Sequence, residues 1–102
     1  MPTPSEFIDR FRWNLRRLRR RAGLSQEQLA ARASLHRTEV GFLEQGHRVP
    51  RIDTFVKLAA ALEVTPNDLL EGVEWLPPRG DAEGTFWTRD PSWNRLRGRG
   101  DV

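Results

Sequence analysis

Cysteine is absent from the 102-residue sequence, which excludes disulfide frameworks, thiolate zinc sites and cysteine nucleophiles and gives no sign of an oxidising compartment. Long apolar runs are missing as well. The longest, around Ala59 to Leu62, falls far short of the ~20 residues that span a bilayer, and no apolar block of the signal-peptide kind opens the chain. These absences predict a soluble protein with a cytoplasmic address and no membrane partner. Lysine occurs once, at Lys57, so the other sixteen of the 17 basic residues are arginine. The length leaves room for one small domain and an appendage.

Acidic charge is scarce in the first half. Met1 to Arg51 carries 11 basic and 5 acidic residues, whereas Ile52 to Val102 carries 6 and 9, an imbalance that the net charge of +3 conceals. Arginine presents a planar fork of donors that matches phosphates and guanine edges in a bidentate way. A polyanion is therefore the first class of partner to consider.

The apolar periodicity predicts five helices. Thr3-Pro4-Ser5-Glu6 has the form of a capping box with proline at the first helical position. Behind it Phe7, Phe11, Leu15, Leu18 and Ala22 recur at spacings of three and four until Gly23. Everything outside that stripe, including Arg10, Arg12, Arg16, Arg17, Arg20 and Arg21, reads as a cationic, solvated face. Ser25-Gln26-Glu27-Gln28 is a second capping box for a short helix with Leu29, Ala30 and Ala33 on its apolar side. Ser34-Leu35-His36 fills a tight turn, a third helix runs from Arg37 to about Glu44, and Gly46 ends it. Ile52, Phe55, Ala59 and Leu62 form a fourth stripe. Thr65-Pro66-Asn67-Asp68 caps a fifth helix through Leu69 and Leu70, closed by Gly72.

Past Gly72, proline and glycine interrupt every window that could hold a helix. Trp75, Phe86, Trp87 and Trp93 nevertheless carry large apolar surfaces that ordinary linkers lack. Val73 to Leu76 and Thr85 to Thr88 are the two stretches that admit strands. The predicted fold class is all-α: a helical domain over residues 4–72, then an aromatic, Gly/Pro-rich tail over residues 73–102 with room for short strands.

Helices two and three, three residues apart, make a helix-turn-helix unit. Leu29, Ala33, Leu35, Val40 and Leu43 fall where the two helices face each other. At 100° per residue the opposite side of the third helix shows Arg37, Thr38, Gly41 and Phe42. The run Leu24-Ser25-Gln26-Glu27-Gln28-Leu29-Ala30, the run Phe42-Leu43-Glu44-Gln45-Gly46 and the later Leu58-Ala59-Ala60-Ala61-Leu62 resemble the lambda-repressor-like family of Cro/cI or XRE-type DNA-binding domains, over about residues 5 to 72. The resemblance implies five helices, a third helix in the major groove, and dimers that bind two-fold operators and regulate transcription.

Carried onto this chain, the resemblance places Gln26 against the DNA backbone and a base edge, Arg37, Thr38 and Phe42 at base edges, and Ser25, His36, Arg48 and Arg51 at the DNA backbone. It pairs Arg19 with Glu44 as a structural ion pair. Homodimerisation is expected near helix five at Leu69, helped by Trp75, Phe86 and Trp87 of the tail. Two positions depart from the family pattern. Ser34 stands where glycine is usual, which matters if φ is positive there. Phe42 stands where a polar reader is common, either against a thymine methyl or as a partly exposed aromatic.

No Gly-rich phosphate loop, metal-ligand cluster or nucleophile with a His and carboxylate is present, so neither an enzyme nor a cofactor is expected. His36 and His47 lie eleven apart with no further ligands beside them, and no metal site is assigned. The leading reading is a repressor that binds a double-stranded operator as a homodimer. The alternative is an antitoxin-type protein whose tail binds a partner protein while the helix-turn-helix autoregulates its operon.

Overall fold

The computed structural model describes residues 5–88. Among these, five helices precede one antiparallel hairpin: α1 (Ser5–Arg21), α2 (Gln26–Arg32), α3 (Arg37–Gln45), α4 (Ile52–Leu62), α5 (Pro66–Leu69), β1 (Val73–Leu76) and β2 (Thr85–Thr88). Thr3 and Pro4 of the expected first cap, and Trp93 of the tail, lie outside the described residues.

Local chemistry accounts for several of the other helix ends. Ser25 Oγ accepts from the Gln28 N–H while the Gln28 side chain accepts from the Ser25 N–H, and Thr65 and Asp68 repeat that exchange at α5. Gly46 ends α3 in the left-handed region at φ 78°. A Cβ there would press on Ile8 and Arg12 at 3.1 Å, so conformation and space both call for glycine. Ser34 does adopt a positive φ, 54°, in the turn between α2 and α3. Glu63 does the same at 59° after α4, a left-handed stop the sequence does not advertise.

The core gathers the inward stripes of all five helices. Phe11, Leu15 and Leu18 of α1 meet Leu29 of α2, Val40 and Leu43 of α3, Leu58 of α4 and Leu69 of α5. Small residues at Ala30 and Ala33 let α2 and α3 approach closely.

Four expectations need correction. Ala22 is exposed because α1 stops one residue earlier. Ile52 is 79% exposed, since it opens α4 at the edge of a stripe whose buried line runs through Phe55, Leu58, Ala59 and Leu62. Leu69, expected at a dimer surface, is fully buried within its own subunit. Arg10 is not part of the solvated face: it is 2% exposed, and its Nε donates to the Glu71 carbonyl at 2.8 Å.

That last contact explains the end of the helical part. Asn14 Nδ2 donates to the carbonyls of Leu69 and Glu71 at 3.0 and 2.9 Å. Together with Arg10 it satisfies acceptors left open where α5 ends. Gly72, at φ 83°, lies against the Arg10 guanidinium so closely that a Cβ would stand 2.8 Å from it. The chain then turns into β1.

The hairpin pairs Trp75 with Phe86 and Glu74 with Trp87. Phe86 packs on Phe7 of α1 with ring centroids 5.1 Å apart, and contacts continue through Phe11 to Phe55 of α4. Trp75 meets Phe86 edge-on and covers Gly84, where any Cβ would run into the indole. One face of the hairpin is thereby fastened to α1. Leu76 and Trp87, each 44% exposed, belong to the register positions of the other face.

Candidate nucleic-acid interface

The site grows from the α2–turn–α3 unit. Val40 and Leu43 are fully buried, so helical geometry turns Arg37, Thr38, Gly41 and Phe42 outward. Between α2 and α3 lies an open groove of about 530 Å³ lined by Ser25, Gln26, Arg37, Thr38, Gly41 and Phe42 among others. The structure thus brings all four expected base-reading residues to one groove.

A buried ion pair sets the floor. Arg19 donates through Nε to Glu44 Oε2 at 2.5 Å and through Nη2 to Oε1 at 2.9 Å, a two-pronged pair with side chains 12% and 2% exposed. Hydrogen bonding to Glu44 raises the Arg19 pKa above its already high ordinary value, against the desolvation that opposes it. Arg19 also donates to the Leu24 carbonyl at 2.9 Å, tying α1 to the start of the unit. Glu44 Oε1 accepts a further bond from Gln26 Nε2 at 3.1 Å. The expected pair is present, and a third member that spacing could not reveal is joined to it.

The rim is organised by shorter-range contacts. His36 caps α3, its Nδ1 accepting from the Thr38 N–H at 3.1 Å, which leaves Nε2 to carry the ring proton. Arg37 lies 3.5 Å from Glu27 across the groove mouth, both side chains well exposed. Phe42 is flanked on two sides: His47 meets its ring edge-on at 5.7 Å, and the Arg48 guanidinium lies over it at 4.9 Å. Arg48 is also held by Glu39 at 3.0 Å. Arg51 sits at the N-cap of α4 and pairs with Asp53 at 3.3 Å.

The two histidines therefore do different jobs, one capping a helix and one bracing an aromatic ring. Trp75, Phe86 and Trp87 belong to the hairpin on α1 and line no part of the groove. Glu39 was absent from the expected site. The pairing of Glu39 with Arg48 joins a helix to a loop nine residues on and leaves no periodic trace.

The helix-turn-helix family model matches residues 15–69, more than half of the chain. The control protein C.BamHI of Bacillus amyloliquefaciens is 41% identical over 51 residues, 50% of this chain and 63% of that protein. An uncharacterized HTH-type transcriptional regulator of Sinorhizobium fredii, y4dJ, is 38% identical over 64 residues, 63% of this chain and 83% of its own length. Among solved structures, the restriction-modification controller protein C.AhdI from Aeromonas hydrophila superposes with a TM-score of 0.59 at 42% identity, covering 61% of this chain and 94% of that one. With the turn, the buried ion pair and the outward face of α3 all in place, the chain belongs to the helix-turn-helix family, in its XRE-type branch.

Proposed function

We propose that the protein is a DNA-binding transcriptional regulator that represses from a two-fold operator, which it binds as a homodimer with α3 in the major groove. It acts by binding and not by catalysis, and it works in the cytoplasm. The observation that carries this reading is the pairing of a buried side of α3, through Val40 and Leu43, with an outward side that starts at Arg37 and Thr38. An arginine at that place suits the O6 and N7 acceptors of guanine. Ser25, which lines the groove, Arg48 over the Phe42 ring, His36 at the cap of α3 and Arg51 at the cap of α4 are assigned to the DNA backbone. Similarity to the control protein C.BamHI and to the controller C.AhdI supports the same class of role.

One short recognition helix covers a single half-site, and a second copy about 34 Å away supplies the other. With Leu69 buried, the apolar side chains exposed for that copy among the described residues are Val49, Ile52 and Val56 around the start of α4, with the hairpin as an added arm. Residues 4–72 then act as the DNA-binding domain and residues 73–102 as the arm. The exposed Leu76 and Trp87 favour a second reading, in which the arm holds a partner protein as in an antitoxin. Selection of bound duplexes from a random pool, alongside sedimentation of the full chain and of a chain ending at Gly72, tests the proposal. A two-fold motif bound by a dimer is expected. A pool without enrichment would overturn the repressor reading, and undiminished dimerisation of the shortened chain would remove the arm from assembly.

A further inference from the structure

The arginines of α1 do not share one environment. Arg10 is buried, Arg12 pairs with Asp9 and Arg17 with Glu71, each at 3.2 Å, and Arg19 pairs with Glu44. Arg16, Arg20 and Arg21 are exposed, and their side chains form no ion pair or hydrogen bond among the described residues. Direction divides these three again. At 100° per residue, Arg16 and Arg20 point about 60° and about 100° from Arg19, on the side turned away from the core, and Arg21 about 200° from it. Arg21 lines a groove of about 470 Å³ with Glu63, Asp68 and Glu71. Arg19 lines the groove between α2 and α3 and donates to the Leu24 carbonyl, which ties its side of α1 to the residue before Ser25. Like charges four apart on a helix repel, and no carboxylate pairs with Arg16 or Arg20 to offset this. The helix dipole favours Arg20 in the last turn of α1, but Arg16 lies before that turn.

We infer that Arg16 and Arg20 are a phosphate-binding pair beside the reading groove, holding the DNA backbone beyond the bases that α3 covers. The inference rests on the DNA-binding function proposed above and lengthens the footprint of that site. With α3 in the major groove, the outer side of α1 meets no base edge, whereas the strand that passes Ser25 runs on toward the end of α1. Guanidinium forks match pairs of phosphate oxygens and are more weakly hydrated than an ammonium group. Such contacts add affinity and fix register without adding sequence preference. The absence of internal partners is what suits the pair to this role. Arg37, Arg48 and Arg51 each have a carboxylate to share with DNA, namely Glu27, Glu39 and Asp53, while Arg16 and Arg20 meet phosphate with no ion pair to break.

The test compares the full chain, the double variant Arg16→Gln with Arg20→Gln, and Arg21→Gln as a control of equal charge chemistry on another side of the same helix. Each is titrated over a salt series against two duplexes, one trimmed to the motif selected by the wild type and one with added flanks. On the flanked duplex the double variant should show a slope of log affinity against log salt shallower by about 2, one ion for each arginine. Arg21→Gln should leave that slope as it is. Trimming should lower the affinity of the wild type to that of the double variant, whose own affinity the flanks do not change. The selected motif should be the same for all three proteins. The double variant should melt no lower than the wild type, because a repulsion has been removed. An unchanged salt slope in the double variant overturns the inference. A per-arginine loss as large in Arg21→Gln also overturns it, since net charge alone then explains the effect. So does a relaxed base position, which marks base reading, or a lowered melting temperature, which marks a structural role. A wild type that selects no motif overturns the DNA-binding proposal itself and this inference with it.

Discussion

The groove between α2 and α3 and the hairpin of β1 and β2 both expose side chains suited to a partner, but they hold them by different means. In the groove and at its rim, polar groups are restrained by hydrogen bonds and ring contacts: the Gln26 side chain by Glu44, Arg48 by Glu39 and the Phe42 ring, and the backbone N–H of Thr38 by the His36 cap. The hairpin is fastened by aromatic packing on one face, Phe86 against Phe7 and Trp75 over Gly84, with Trp87 and Leu76 half exposed on the other. A surface that reads bases needs donors and acceptors at set angles, and hydrogen bonds impose angles. A surface that covers a core, or meets another apolar one, needs area, which packing supplies without direction.

The largest expected effect strikes the groove at its foundation. Glu44→Ala should destabilise the fold by about 3 to 5 kcal/mol, because it strands the buried Arg19 charge, and it should free Gln26 as well. Replacing Arg19 and Glu44 together by apolar residues should cost less than that single change. Chemical denaturation of the four members of the cycle measures it, and additive losses would contradict the coupling.

Phe86→Ala comes next and probes the other region. Removing a half-buried ring that packs on Phe7 should cost about 2 kcal/mol and open the hairpin to protease. Base preference should stay as it is. A changed DNA motif would mean that the two regions are coupled and that the contrast drawn above fails.

Arg37→Ala should leave the melting temperature near the wild-type value, since the side chain is 70% exposed. It should relax preference at one base position per half-site by roughly 1 to 3 kcal/mol, read from selected sequences. Arg48→Ala is the smallest and the most general. Binding should weaken about equally for all sequences, with the salt slope reduced by about one ion. A sequence-selective loss would move Arg48 from the backbone to a base.

Much of the architecture was legible in the sequence. The Ser25 and Thr65 capping boxes, the Gly46 stop and both strand spans stand where the residues place them, because each depends on partners within a few positions. The pair of Arg19 and Glu44 came from the family resemblance, not from spacing. Arg10 looked like one more solvated arginine in an arginine-rich helix, and Ile52 looked like the first residue of a buried stripe. Leu69 looked available to a partner. The first two were misplaced because periodicity gives the side of a helix on which a residue lies, not whether another element covers that side; Leu69 was carried over from the family resemblance, which does not show how α5 packs in this chain.

The sequence by itself determined where α2 and α5 start and α3 stops, where the hairpin lies and which face of α3 turns outward, since capping, glycine stops and apolar periodicity act over one or two turns. Only the tertiary structure decided which charged groups are buried and how the polar groups of the groove are aimed. Arg10 finds Glu71 across 61 residues, Asn14 finds Leu69 across 55, and Gln26 meets Glu44 across 18. Such contacts have no local signature, because a hydrogen bond depends on where the packed helices bring donor and acceptor and not on how far apart they lie along the chain.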